Sequence, residues 1–378
     1  MNPLTIGDPA PLFSLPAQNL GNLDLKTKAG QPILLLFYPN DHIPSCQEIA
    51  LVFRDLSAKI REFQVRIYSI SLDAPDQRDK FAQTHQIPFL LLSDLNQMVS
   101  RLYRVCFTQT DPNHGAVITY QRQAFLLDTN LQILRIYSLE NLAAITPVIL
   151  EDIRQLFSPV TPQTITQRRA PVLFIPQVFD QQFCQDLIQR WETQGNKESG
   201  AMHREGDRTV KVLDYDHKIR RDHSIKDPEL KKRIDQIMQR RVFPEIQKVH
   251  HFEVTHREHY KVVRYDGYQG GYFRRHRDNT TGGTAHRKFA MTINLNVGEY
   301  QGGCLRFPEY DQDLYQPETG SALIFSCSLM HEATDVTAGY RFAFLSFFYG
   351  EKEAKARKEY EQKMQNKYDQ VLEIKGGE

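Results

Sequence analysis

The hydrophobic residues of this chain fall into two regimes that meet near residue 165. Before that point strands and helices alternate. Pro32 to Tyr38 is a short, nearly continuous apolar run, as expected of a strand buried on both faces. Ser45 to Phe63 carries Ile49, Leu51, Val52, Leu56 and Ile60 at helical spacing. Val65 to Leu72 predicts a second strand, Gln77 to His85 a helix, and Phe89 to Leu92 a short strand. Ala124 to Tyr137 predicts a hairpin turning at Asp128, Thr129 and Asn130, and Leu142 to Phe157 a closing helix. This alternation predicts an α/β fold, a sheet covered by helices on both sides.

The segment from Ser158 to Pro171 is rich in Pro, Thr and Gln and has no apolar period, so it reads as a linker. The expected division is a first domain over 1–158, a linker over 159–171 and a second domain over 172–378. Past the linker, Asp180 to Thr193 predicts one helix. Asp227 to Lys248 predicts another, capped by Asp227, with Pro228 in its first turn and a kink or early end at Pro244. Strand-like runs follow at Tyr260 to Tyr265, Phe289 to Leu295, Cys304 to Phe307, Ser321 to Phe325 and Arg341 to Tyr349. Turn residues separate them, which suits an antiparallel barrel or sandwich backed by helices. A charged helix from Lys352 to Tyr368 ends the pattern.

Composition narrows the function classes only slightly. The 378 residues are 40% hydrophobic and 25% charged, with a formal net charge of +1, so no basic excess points to nucleic acid. Five cysteines without regular spacing do not form a disulfide framework. No signal peptide and no apolar run of membrane-spanning length is evident, which predicts a cytoplasmic protein without membrane contact.

The candidate chemistry lies between Arg264 and Asn279. His276 and Asp278 are two apart, and on a strand such residues point to one face, so both can reach one metal ion. His331 supplies a second imidazole from a later strand. Two histidines and one carboxylate on Fe(II) leave open positions for a chelating cosubstrate and O₂. The H-x-D pair is common by chance, and His251-x-Glu253 and His256-x-Glu258 fit a looser form of it. Context favours His276 and Asp278. Arg341 opens the apolar run Arg-Phe-Ala-Phe-Leu-Ser-Phe-Phe, where a guanidinium calls for an anionic partner. Arg274, Arg275 and Arg277, with Arg264 and Arg287, form a candidate cationic rim.

Residues 172 to 350 resemble the prolyl 4-hydroxylase type of Fe(II)/2-oxoglutarate dioxygenase. The resemblance rests on Tyr265, Gly270-Gly271, His276-x-Asp278-Asn279, Leu295-Asn296, Gly302-Gly303-x-Leu305-x-Phe307-Pro308, Pro317-x-x-Gly320, His331-Glu332 and Arg341. It implies a double-stranded β-helix (jelly-roll) barrel, iron on His276, Asp278 and His331, and 2-oxoglutarate on Arg341 and Tyr265. The family's second tyrosine, before Leu-Asn, is Asn294 here. The implied reaction turns 2-oxoglutarate and O₂ into succinate, CO₂ and a hydroxylated substrate, with ascorbate as a candidate reductant. The substrate, a protein prolyl or other side chain or a small molecule, is left open.

The opening segment, Ile6-Gly7-Asp8-Pro9-Ala10-Pro11, and the stretch Phe37 to Cys46 resemble peroxiredoxins of the thioredoxin fold, over residues 3 to 157. By that resemblance Cys46 is the peroxidatic thiol at a helix amino terminus and Arg122 its supporting cation. Where the family has Thr or Ser, this chain has Ile43, which cannot hydrogen-bond to peroxide, so the expected peroxidase activity is weak or absent. Cys106 is a candidate resolving thiol, although it, Cys184, Cys304 and Cys327 also read as small buried apolar residues. A homodimer is expected from the resemblance alone. The alternative to a dioxygenase with an accessory domain is a thiol peroxidase, or a redox-sensing or protein-binding module built on Cys46, with a non-catalytic barrel.

Overall fold

The computed structural model describes residues 3–18, 21–111, 115–157, 169–206 and 208–375. Most of the expected linker, residues 159–168, lies outside the described residues, as does Ser158. The chain separates into two compact units, 1–164 and 165–378.

The described residues of the first unit form nine strands: β1 (Ser14–Ala17), β2 (Gly21–Asp24), β3 (Ile33–Phe37), β4 (Arg66–Ser71), β5 (Leu90–Ser93), β6 (Cys106–Asp111), β7 (Gly115–Tyr120), β8 (Gln123–Leu127) and β9 (Ile133–Ser138). Its helices are α1 (Pro44–Arg61), α2 (Pro75–His85), α3 (Met98–Leu102) and α4 (Leu142–Leu156). Seven strands form one sheet in the order β2-β1-β5-β4-β3-β8-β9, with β3, β4 and β5 mutually parallel and the remaining pairs antiparallel. β6 and β7 make a separate hairpin. The unbroken apolar run of β3 has a direct cause. Leu34, Leu36 and Tyr38 enter the core under α1 and α4, while Ile33, Leu35 and Phe37 enter a second core on the opposite face.

The second unit is built from antiparallel strands. They are β10 (Leu173–Ile175), β11 (Lys197–Glu198), β12 (Ala201–Glu205), β13 (Arg208–Val212), β14 (Lys218–Ile219), β15 (Arg221–Ser224), β16 (His256–Arg257), β17 (Lys261–Asp266), β18 (Tyr272–His276), β19 (Phe289–Asn294), β20 (Tyr300–Gly302), β21 (Leu305–Arg306), β22 (Ala322–Ser326), β23 (His331–Ala333) and β24 (Val336–Tyr349). The helices are α5 (Gln181–Thr193), α6 (Pro228–Ile237), α7 (Phe243–His250) and α8 (Glu351–Lys375). A large sheet runs β10-β22-β19-β24-β17-β15-β11, with β16 and β20 also paired to β24. A small sheet runs β14-β18-β23-β21.

Alternation along the strands sorts the core into two layers. Val262, Met291, Ile293, Phe342 and Phe344 face a cluster shared with α5, α6 and α7. Val263, Tyr265, Ala290, Leu323, Phe325 and Ala343 face the small sheet, where they meet Phe273, Leu305 and Ala333. The strand pattern predicts an antiparallel barrel or sandwich, and the resemblance implies a double-stranded β-helix (jelly-roll) barrel. The described strands form two facing sheets, as in a sandwich, and among them no strand pairing joins the sheet edges into a closed barrel. The fourteen residues of β24 direct its pairings to β16, β17, β19 and β20, all away from the small sheet.

The helix expected over Asp227 to Lys248 is two helices joined by a π turn over Met238–Val242. Pro244 sits in the first turn of α7, where its missing N–H leaves no helical bond unmade.

Candidate metal centre

β18 and β23 lie side by side in the small sheet, and their register sets His276 directly opposite His331. Asp278 follows β18 by two residues and is tied down by its backbone N–H, which donates to the Cys327 carbonyl at 2.9 Å. The three side chains meet. Nε2 of His276 is 3.5 Å from Oδ1 of Asp278, and Nε2 of His331 is 3.4 Å from Oδ2. Among the described residues this is the one group of three such side chains whose ligand atoms lie within 4.8 Å of one another.

Hydrogen bonding fixes the tautomers. Nδ1 of His276 contacts the Arg274 carbonyl at 2.7 Å, and Nδ1 of His331 contacts the Leu329 carbonyl at 3.0 Å. A carbonyl can only accept, so each proton sits on Nδ1 and each Nε2 presents a bare lone pair. Burial pushes the His331 imidazole down to about 4 and so keeps it neutral. Burial alone would raise the Asp278 carboxyl, but His331, His276 and Arg287 hold it below the usual carboxylate range. Two imidazoles whose Nδ1 atoms are engaged by carbonyls and one carboxylate fit a divalent transition-metal ion.

The triad lines a cavity of about 590 Å³. Arg341, on β24, lines it too and is 3% exposed. Its Nη2 donates to Oδ1 of Asn294 at 2.9 Å, its guanidinium carbon lies 5.1 Å from the Tyr265 ring centroid, and its Nε has no partner. No carboxylate pairs with it among the described residues. Thr292, on β19, is buried in the same lining, and its hydroxyl is also without a partner. A buried cation and a buried hydroxyl, both with unused donors, fit a carboxylate. Gly303 makes room for the arginine. A Cβ there would fall 2.7 Å from Cδ of Arg341, and the residue's φ of +64° suits glycine. Tyr265 lines the cavity, and its hydroxyl accepts from Arg220 Nη1 at 3.2 Å.

The expected cationic rim is a correction. Arg274 is paired with Asp335, Arg275 with Glu332, Arg277 with Glu309, Arg264 with Asp266 and Arg287 with Glu258. Each charge is thereby answered by a carboxylate, and the cluster offers little net field.

In the first unit Cys46 occupies the first turn of α1 and is 1% exposed. Burial pushes its thiol above the ordinary range. The Asn40 backbone and Arg122 pull the other way without offsetting it. Arg122 lies near enough to Cys46 to favour its thiolate and is also ion-paired with Glu140. Ile43 precedes Pro44 and packs its side chain against the core. All five cysteines are free; Cys106, Cys184 and Cys327 are buried, and Cys304 is half-buried rather than fully so.

A family model described as the AhpC/TSA family matches residues 6–136, and one described as the 2OG-Fe(II) oxygenase superfamily matches residues 260–349. Peroxiredoxin Bcp of Escherichia coli (strain K12) is 37% identical over 105 residues, which are 28% of this chain and 67% of that protein. The chain belongs to the peroxiredoxin family. The chloroplastic peroxiredoxin Q of Gentiana triflora is 31% identical over 132 residues, 35% of this chain and 58% of the relative. Among solved structures, peroxidoxin BcpB from Mycobacterium tuberculosis is 28% identical and covers 41% of this chain and 99% of its own, with a TM-score of 0.37.

The peroxiredoxin domain holds Cys46 and Arg122, and the oxygenase domain holds Tyr265, His276, Asp278, His331 and Arg341. Sequence reasoning missed Thr292 and the bracing role of Asn294. The one signal for Thr292 was its position two residues before Asn294 on a strand, which places both on one face.

Proposed function

We propose that the second unit is an Fe(II)- and 2-oxoglutarate-dependent dioxygenase that hydroxylates its substrate. The observation that carries this reading is the shared cavity. Three metal-ligand atoms stand ready at one place, and an unpaired buried arginine stands at another. The two facing sheets support a double-stranded β-helix reading of the fold, open at its edges.

When bound, iron and 2-oxoglutarate would activate O₂, yielding succinate, CO₂ and the hydroxylated product. The chain's own residues do the rest. Nε2 of His276 and of His331 and a carboxylate oxygen of Asp278 would hold the metal. Arg341 and Thr292 would take the distal carboxylate of 2-oxoglutarate through donors now unused. Leu305, Phe325 and Ala333 give that part of the lining an apolar wall that excludes water.

The direct test of the anion clamp is equilibrium 2-oxoglutarate binding to Arg341→Met. Loss of a charged hydrogen-bonding partner predicts binding weaker by about ten-fold to a hundred-fold, with metal affinity retained. Unchanged 2-oxoglutarate affinity would remove Arg341 from the site.

A second reading concerns the peroxiredoxin domain, where family membership and Cys46 at a helix start favour thiol chemistry. We assign it weak thiol peroxidase activity, because burial works against the thiolate and Ile43 cannot hydrogen-bond to peroxide.

A further inference from the structure

Beyond the triad and Arg341, the cavity continues under the hairpin of β12 and β13. Met202, His203 and Lys211 of that hairpin line it. The hairpin is fixed at two places. Gly283 N–H donates to the Thr209 hydroxyl at 2.9 Å, and Gly200 lies so near the Val212 carbonyl that a Cβ would fall 2.6 Å from it.

Under this wall lies Lys218, a cavity-lining residue only 7% exposed. Its Nζ donates to the Gly200 carbonyl at 3.1 Å and lies 4.5 Å from the centroid of the Phe273 ring, which stacks on the ligand His276. No carboxylate pairs with Lys218 among the described residues. The nearby Asp222 is already engaged, since it accepts two bonds from Arg220 at 2.7 and 3.0 Å and one from the Ser199 hydroxyl at 2.8 Å. Lys261 reaches the same carboxylate at 3.9 Å. Three cations therefore surround one carboxylate, and Lys218 is the one without a bond to it. A buried ammonium with a single carbonyl partner is costly unless an anion completes its shell. Burial holds this amine well below the ordinary lysine range, and Arg220 adds to that effect.

A second polar atom at the same end is also incomplete. Nε2 of His203 is buried and has no partner. Its ring lies 6.3 Å from that of His217, which is 6.1 Å from His276. The unpaired groups thus lead from the hairpin towards the metal ligands.

We propose that this end of the cavity recognises a carboxylate on the substrate to be hydroxylated, with Lys218 as its ionic partner and His203 Nε2 as a second donor. The inference rests on the dioxygenase reading and deepens it by naming the substrate class. Three cations set against one carboxylate leave this end of the cavity short of negative charge, which a substrate carboxylate supplies. The acid is either a free small molecule or an acidic side chain in a peptide, and both present the same group.

The test uses the full chain with Fe(II) and saturating 2-oxoglutarate, without O₂. The visible band of the metal chelate is recorded first. Two matched probe pairs are then titrated by calorimetry: L-glutamate against L-glutamine, and a degenerate hexapeptide pool with a central glutamate against the same pool with glutamine. In at least one pair the acid is expected to bind about ten-fold tighter than the amide. The pair that discriminates identifies the source of the acid. Lys218→Met is expected to abolish the preference, and His203→Phe, at a half-buried position, to reduce it several-fold. Equal affinity of acid and amide in both pairs overturns the proposal, as does a preference undiminished in both variants. Repeating the titration without metal separates the two claims. A missing chelate band counts against the dioxygenase reading, whereas a missing acid preference counts against this one.

Discussion

Arg341 shows how much a single residue's surroundings decide. A guanidinium at 3% exposure with an orphaned Nε is stable only if something anionic completes it, and the cavity brings that partner within reach of the metal ligands. Gly303→Ala tests the seat rather than the arginine itself. The added methyl group meets Cδ of Arg341 and sits at positive φ, so 2-oxoglutarate affinity should fall several-fold while metal binding persists. Unaltered affinity in a binding titration would show that the arginine has room to move. Cys46 makes the opposite point. Its place at a helix start suggests a low thiol pKa, yet burial raises it. The thiolate is then scarcer at neutral pH than in a free cysteine, and the alkylation rate should keep climbing with pH through the ordinary thiol range. A rate already saturated below pH 8, which is well under the usual thiol value, would contradict this. The triad was legible in the sequence because its H-x-D pair came with Arg341 and the surrounding motifs that resemble the dioxygenases; the strand argument alone was weak, and Asp278 lies two residues past β18. Thr292 and Lys218 were not legible, because an isolated Thr or Lys acquires meaning only when sheet packing turns it inward.

At the level of elements, register does most of the functional work. Pairing of β18 with β23 sets His276 opposite His331, and a slip of one residue would turn one imidazole to the other face. The long helices and the apolar strands were legible from period alone. The β6–β7 hairpin and the short β11, β14 and β16 were not, since two-residue strands carry no periodic signal and the hairpin strands, Cys106–Asp111 and Gly115–Tyr120, do not alternate apolar with polar residues. The cationic rim was misread for a related reason, because the carboxylates that neutralise it come from distant elements such as β23 and the turn holding Glu309. One such cross-element contact supports the site. Glu258 accepts from Arg287 at 2.6 and 2.9 Å and contacts His286 at 3.0 Å, while Arg287 also donates to the Asp278 carbonyl at 3.2 Å. Burial opposes the Glu258 charge, but His286 and Arg287 bring its carboxyl down to about 2 from 4.5. Because the folded value is depressed, this stabilisation is complete above pH 4.5 and is lost as pH falls towards 2. It amounts to roughly 3 kcal/mol. Glu258→Gln should lower stability at neutral pH and flatten the acid limb of the unfolding profile between those values. A variant with an unchanged acid limb would show that the cluster is not coupled to folding.

At the scale of the whole molecule, a peroxiredoxin domain and a 2OG-Fe(II) oxygenase domain lie in two compact units, each with its own core. The oxygenase site draws on residues of the second unit alone, and Cys46 draws on the first. Chelation of metal should therefore stop 2-oxoglutarate turnover and leave the peroxide reactivity of Cys46 unaltered. Loss of thiol reactivity on adding chelator would show that the two sites are linked. The division near residue 165 was legible from a change in period, whereas the open edges of the facing sheets were not, since strand patterns are silent on closure. The central claim is that His276, Asp278 and His331 hold iron beside a 2-oxoglutarate seat, and the most direct measurement is an anaerobic titration of Fe(II) and 2-oxoglutarate into the full chain, followed by visible spectroscopy. The account predicts a charge-transfer band in the unaltered protein that is absent in Asp278→Ala and His331→Ala. A protein that binds no iron and gives no band would contradict it and leave Cys46 as the remaining centre of chemistry.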